Sequence, residues 1–256
     1  MTALVRGDLR VVILADRPAL GAAAGTYAAG RLRELLTAQD RVRVIFAAAA
    51  SQLETLAQLA SEADIDWSRV DAFHLDEYVG LPSGHPQGFG QWLQDRIWDV
   101  VRPGTVQRMD GANAAGPEAE AARYGALLAA GGIDLALLGI GENGHVAFND
   151  PHVADFRDPL VVKPVLIDET SRHQQVRDGA FERFEDVPAL ALTVTMSTLL
   201  ASRVISLAVP GPQKARAVAA TLDGPVSTSC PASALRDHPD ATLFVDEAAA
   251  SLVARV

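Results

Sequence analysis

The segment Ile133–Ile140, apolar apart from Asp134, does most to limit the folds open to this chain. A run this short and this apolar fits a strand buried on both faces, as in parallel sheets covered by helices on either side. Gly139, Gly141 and Gly144 punctuate its end and let the backbone turn sharply and come close to a ligand. Packed into that turn are Glu142, Asn143, His145, Asn149 and Asp150. Polar, titratable groups just beyond the carboxyl end of a buried parallel strand stand where open α/β sheets keep their chemistry.

The rest of the sequence repeats the strand-then-helix alternation. Strands are expected at Leu9–Ala15, Arg41–Ala48, Val70–Leu75, Pro188–Thr195, Val204–Val209 and Thr242–Val245, with Leu160–Ile167 as an edge segment. Helices are expected at Ala19–Leu36, from Ser51, over Phe89–Val101 with Trp92 and Trp98 buried, at Pro117–Ala130, from Lys214 to Leu222, and at Ala248–Val253. Ser51 and Glu54 have capping-box spacing, Gly21, Gly25 and Gly30 mark close helix packing, and Ser83–Gln87 reads as loop. The expected architecture is α/β, a single domain over 1–256: a mostly parallel, Rossmann-like doubly wound sheet with helices on both faces.

Composition narrows the function classes. A net charge of −10 argues against a nucleic-acid surface, while leaving room for an anionic substrate held by a few local donors. The single Cys230 cannot form an intrachain disulfide, and no run reaches the ~18 apolar residues a membrane span needs, so a cytoplasmic protein without a membrane partner is expected.

Three groups of residues carry chemistry. Asp76 and Glu77 follow a strand; if extended geometry persists, their side chains point to opposite faces and only one carboxylate enters the crevice. In the glycine-rich turn His145 is the natural proton carrier; Asp150 can stabilise its charged form and Asn143 can fix a ring nitrogen. Lys214, beside Pro210-Gly211-Pro212 at a helix start, can meet an anion. No ligand spacing supports a metal, and neither Ser197 nor Cys230 lies in a nucleophile elbow.

At these residues the chain resembles the glucosamine-6-phosphate deaminase family, within a superfamily shared with 6-phosphogluconolactonases. FHLDEYVGLP (Phe73–Pro82) and LGIGENGHVAFNDP (Leu138–Pro151) carry the likeness, joined by DVPALALTVT (Asp186–Thr195), PGPQKA (Pro210–Ala215) and HPDATLFVDE (His238–Glu247). GHVAFND and DEYVGLP are closer to the deaminase branch than to the lactonase branch, where GHTASLF-type and DER-type stretches are expected. The resemblance implies conversion of an amino-sugar phosphate to a ketose phosphate and ammonia, with no cofactor or metal, in a monomer or homo-oligomer. By it, Asp76 is the base at C2, His145 protonates the ring oxygen, Asp150 takes the place of a supporting glutamate, and Asn143 that of a carboxylate in many members. It places Ala50, Ser51, Gln52, Glu77, Gly144, Arg177 and Lys214 around the substrate and its phosphate, with Arg177 favoured over Arg172. Ala48–Gln52 replaces the family's Thr-Gly-Gly phosphate loop, and Val153-Ala154 replaces a serine pair of an allosteric site, so no activation by an N-acetylated sugar phosphate is expected. Two competing readings remain: a sugar-phosphate lactonase and a non-catalytic sugar-phosphate binder.

Overall fold

The computed structural model describes residues 2–82 and 84–254; Met1, Ser83, Arg255 and Val256, which include the ends of the expected domain and the first residue of the expected loop, lie outside the described residues. Among the described residues there are eleven strands: β1 (Thr2–Arg6), β2 (Leu9–Leu14), β3 (Val42–Phe46), β4 (Val70–His74), β5 (Asp76–Tyr78), β6 (Thr105–Val106), β7 (Leu135–Leu138), β8 (Val162–Leu166), β9 (Leu190–Val194), β10 (Val204–Val209) and β11 (Ala241–Asp246). The helices are α1 (Arg17–Ala38), α2 (Leu53–Ser61), α3 (Phe89–Leu93), α4 (Asp99–Val101), α5 (Pro117–Ala129), α6 (Glu169–Arg177), α7 (Met196–Leu200) and α8 (Ala215–Asp223), with a π-helical turn, Gln94–Trp98, joining α3 to α4.

Eight strands form the main sheet in the order β1-β2-β11-β10-β7-β3-β4-β6. All its pairings are parallel except that of the edge strand β1 with β2. Its residues alternate between two apolar layers. Ile45, Phe73, Leu138, Leu207 and Val245 face a cluster that includes Tyr124 and Leu128 of α5 and Val218 of α8. Val44, Ala72, Leu135 and Val204 face the opposite way, against Leu32 and Leu36 of α1 and Leu56 and Leu59 of α2. The period of two in a strand thus puts helices on both faces, as a doubly wound sheet requires. Chain order runs outward through β3, β4 and β6 on one side of β7 and through β10 and β11 on the other. The topological switch therefore falls at β7, where Leu135 pairs with both Val44 and Val204.

Pro188–Thr195 supplies a strand, but β9 lies in a second, antiparallel sheet of order β5-β9-β8 rather than in the main one. Its β5 is only three residues of mixed polarity, too short for a two-residue alternation to be legible in sequence. Four further expectations are corrected. Ala248–Val253 forms turns instead of a helix: beyond the Ala250 amide, which bonds the Asp246 carbonyl, the Ser251 and Val253 amides bond only three residues back, to Ala248 and Ala250. The Ser51/Glu54 capping box does not form: the Ser51 hydroxyl accepts from Gln52 Nε2 and Glu54 pairs with Arg17. Trp98 is buried, whereas Trp92 is half-buried under the Arg96 guanidinium. Gly30 has open space beside it.

Gly21 and Gly25 do mark close packing of α1 on α2. A Cβ at Gly21 would stand 2.2 Å from the Glu54 Cβ, and one at Gly25 would stand 2.5 Å from the Gln58 Cβ. Overpacking of this kind costs about 1–3 kcal/mol. Gly21→Ala is accordingly expected to lower unfolding free energy by that amount in a denaturant titration, while Gly30→Ala leaves it unchanged or raises it.

Candidate active site

Four adjacent strands, β10, β7, β3 and β4, bring their carboxyl ends to one cleft. It is lined by Lys214 beyond β10, Gly139, Gly141 and His145 beyond β7, Ala48, Ala49 and Ser51 beyond β3, and Asp76 beyond β4, with Gln174 and Gln175 of α6 on the rim. Two turns widely separated in sequence therefore meet over one space.

Asp76 is placed by a change of sheet. After His74 the chain leaves the main sheet, passes Leu75, and enters β5, where Asp76 pairs with Thr193. The Leu75 carbonyl accepts the Val194 amide at 2.8 Å, and His74 Nδ1 donates to the Asp76 carbonyl at 2.8 Å. The other nitrogen of that fully buried ring accepts the Met109 amide, also at 2.8 Å. His74 is thus a neutral strut, and burial above all lowers its pKa to about 4. The Asp76 carboxylate makes no hydrogen bond among the described residues, yet its oxygens reach the cleft. Burial, aided by the neighbouring Glu77 carboxylate, raises its pKa well above the usual range. A carboxylate left unpaired and raised in this way suits proton abstraction near neutral pH.

The sign of the His74 contribution to stability follows from its lowered pKa. The unfolded ring, with a pKa near 6.5, takes up a proton before the folded one does, so stability is present above that value and is lost as pH falls toward 4. The wild type is expected to lose up to about 3 kcal/mol more than His74→Gln between those limits, read from paired denaturant titrations.

Around His145 the chain folds into a compact hydrogen-bonded cluster. The ring lies against Gly141, where a Cβ would stand 2.0 Å from Cε1, so only glycine leaves room for it. Nδ1 has three oxygen neighbours: Asn143 Oδ1 at 2.7 Å, Ser171 Oγ at 2.9 Å and Asp150 Oδ1 at 3.1 Å. Nε2 makes no hydrogen bond among the described residues. Asp150 is fully buried and accepts from Asn143 Nδ2, Ser171 Oγ and the Asp168 amide. Burial alone would raise its pKa; the hydrogen bond and charge of His145, with the Asn143 and Ser171 bonds, override it and hold the group at about 2. Next in the chain, Ala147 lies in the left-handed region at φ 52°, strained for a residue with a Cβ and on the cleft wall. Asn149 Nδ2 locks that turn onto the Val146 and Val194 carbonyls.

Lys214 lines the cleft beyond β10. It follows Gly211, at φ 96°, whose amide is held by both oxygens of Asp246. The ammonium is largely buried and forms no ion pair among the described residues. Burial, and Arg177 nearby, lower its pKa, while Asp178 and Glu142 oppose the shift. The amides of Ala50 and Ser51 open the 310 turn Ala50–Gln52 and have no partner within it.

Asp76, His145, Ser51 and Lys214 thus line the cleft, with Asn143 and Asp150 directly behind the histidine. The other residues expected at the substrate are not among those lining the cleft. The Glu77 carboxylate points to the opposite face of β5, toward a neighbouring cavity, and binds the amides of Tyr78, Phe89 and Gly90, anchoring the start of α3. Gly144, at φ 85°, uses its amide on the Gly141 carbonyl and packs against Cys230. Gln52 is buried with its amide on the Ala208 carbonyl, and the Ala50 carbonyl is held by Arg17. Arg177 lies outside the lining and pairs with Glu142 at 2.6 Å, whereas Arg172 holds the Phe184 and Val187 carbonyls. Sequence reasoning missed Ser171, Gln174 and Gln175. Their spacing puts them on one face of α6, and a polar stripe on an otherwise polar helix gives no contrast by which to see it.

Among the described residues no group of three or more His, Cys, Asp or Glu side chains is placed to hold a metal ion, and no helix is long and apolar enough to cross a membrane. Fold and cleft together define a doubly wound α/β protein with a carboxylate, an imidazole and an ammonium facing one space at the topological switch. The chain belongs to the family described as glucosamine-6-phosphate isomerases/6-phosphogluconolactonase, whose model matches residues 15–244. It is 40% identical over 250 residues to a glucosamine-6-phosphate deaminase of Arthrobacter sp. (strain FB24), covering 95% of this chain and 92% of that protein. A glucosamine-6-phosphate deaminase of Halothermothrix orenii is 40% identical over 203 residues, 78% of this chain and 82% of its own. Among solved structures, a monomeric glucosamine-6-phosphate deaminase superposes with a TM-score of 0.86 at 32% identity, covering 94% of this chain and 99% of that one. The 6-phosphogluconolactonase of Trypanosoma brucei shares the fold, with a TM-score of 0.78 at 18% identity over 99% of this chain and 100% of its own.

Proposed function

We propose that the protein is an amino-sugar-phosphate deaminase that converts glucosamine 6-phosphate, or an epimer, and water into a ketose 6-phosphate and ammonia. The observation that carries this reading is the unpaired, raised-pKa Asp76 carboxylate sharing a cleft with the free Nε2 of His145. The substrate phosphate meets the Lys214 ammonium and the first amides of the Ala50–Gln52 turn, and the Ser51 hydroxyl stands beside them. Arg177 reaches that phosphate on release from Glu142.

Charged His145 gives its Nε2 proton to the ring oxygen, and the pyranose opens to an aldehyde as the C1 hydroxyl proton passes to water in the cleft. Asp76 then removes the C2 proton, forming an enolamine, and the protonated Asp76 returns a proton to C1, leaving an imine at C2. Water adds to that carbon and ammonia departs, leaving the ketone. Asp150, with its pKa held at about 2, is anionic near neutral pH and stabilises the charged imidazole. One carboxylate and one imidazole suffice for these proton transfers, with Asp150 holding the charge on the ring.

Purified protein given a panel of phosphorylated amino sugars is expected to release ammonia and ketose phosphate in equal amounts. Hydrolysis of a 6-phospholactone without ammonia release would replace this reading by the lactonase one. Thermal stabilisation by a sugar phosphate without product would replace it by the binding one.

A further inference from the structure

Ser171 is absent from the sequence motifs, yet it is fully buried at the centre of the polar cluster behind His145. Its hydroxyl stands within hydrogen-bond distance of both His145 Nδ1 and Asp150 Oδ1. The direction of each bond follows from the groups present. Asp150, with its pKa near 2, can only accept, so the single Ser171 proton goes to the carboxylate and an Oγ lone pair faces Nδ1. The same carboxylate draws the Asn143 amide nitrogen toward itself, which turns Asn143 Oδ1 to the ring. All three neighbours of Nδ1 are therefore acceptors. Nδ1 carries a proton held by these acceptors, and Nε2 is the ring nitrogen left facing the cleft.

We propose that Ser171 is a positioning residue for His145: it bridges the imidazole to Asp150 and fixes the ring to α6, so that Nε2 is aimed at the substrate's ring oxygen. Asn143 is neutral and lies in the same turn as the histidine, whereas Ser171 comes from a separate element. Alongside it, the Asp168 amide binds Asp150 Oδ2 and Gln174 Oε1 accepts the Glu142 amide, so helix and turn are joined at three points. Without the hydroxyl the ring keeps its tautomer but loses its lateral hold, and Asp150 loses a donor. The role assigned to the ring oxygen rests on the proposed deaminase reading; the hold on the ring does not.

The test compares Ser171→Ala and Ser171→Thr with the wild type, each shown folded by its melting temperature. In ligand-free wild type, proton NMR is expected to show a solvent-protected Nδ1 proton on His145, identified by its loss in His145→Gln. That signal is expected to broaden or vanish in the alanine variant and to persist in the threonine variant. With glucosamine 6-phosphate, kcat is expected to fall at least 10-fold in Ser171→Ala with KM within threefold, and Ser171→Thr is expected to recover to within threefold of wild type. An alanine variant with the ring proton intact and kcat within twofold of wild type would overturn the proposal. Equal losses in both variants would also overturn it, since the hydroxyl would then be immaterial. If the wild type releases no ammonia from any amino-sugar phosphate, the deaminase reading fails while the ring-proton comparison still decides the role of Ser171.

Discussion

Asp76→Asn is expected to lower kcat by about 10²–10⁴-fold, the range for loss of a general base, with KM for the amino-sugar phosphate nearly unchanged. Asn keeps the size of the side chain, and the anchors of this position are backbone contacts: the pairing with Thr193 and the bond from His74 to the carbonyl. The fold around the residue should therefore persist. The wild-type pH profile provides a second signature. Because burial first, and then Glu77, raise the Asp76 pKa, the base is protonated and inactive at low pH, and activity rises through a value above the ordinary carboxylate range. That acid limb is expected to disappear from the residual rate of Asp76→Asn. A variant that binds no ligand, or that retains the limb, would assign the carboxylate a structural role.

His145→Gln is expected to reduce kcat by a comparable ~10²–10⁴-fold through loss of the proton donor to the ring oxygen. Gln can satisfy the Asn143 and Ser171 contacts, but it has no proton to release near neutral pH. The loss should be confined to ring opening. An open-chain amino-alditol 6-phosphate, which has no ring to open, is expected to inhibit wild type and variant with inhibition constants within about threefold, since neither Lys214 nor the Ala50–Gln52 turn is touched. A parallel collapse of inhibitor binding would mean that the imidazole holds the ligand instead of protonating it.

The sequence disclosed those parts of the molecule in which local pattern and burial coincide. The run Leu135–Leu138 lies at the centre of the sheet, its residues face both apolar layers, and its uniform composition records that directly. Asp76 and Glu77 were expected on opposite faces from strand geometry alone, and β5 separates them in that way. What stayed illegible depends on contacts distant in sequence. Whether β9 pairs in the main sheet or the small one is decided by β5 and β8, not by its own residues. Ser171 and Gln174 gain their positions only when α6 folds over the glycine-rich turn. Glu77 resembles a ligand in the motif, but the three backbone amides it accepts lie as far as Gly90, beyond anything its neighbours in sequence reveal. The Ser51 and Glu54 pattern is outcompeted by the adjacent Gln52 side chain, which takes the Ser51 hydroxyl, and by Arg17 of α1, which takes the Glu54 carboxylate.

The central claim, that Asp76 takes the C2 proton of an amino sugar whose ring His145 opens, is tested most directly with glucosamine 6-phosphate deuterated at C2. The account predicts that every ammonia released is matched by a ketose phosphate whose C2 is a carbonyl, with the deuterium found at C1 or in water. Ammonia set free while deuterium remains on C2 would mean direct substitution of the amine, and would contradict it.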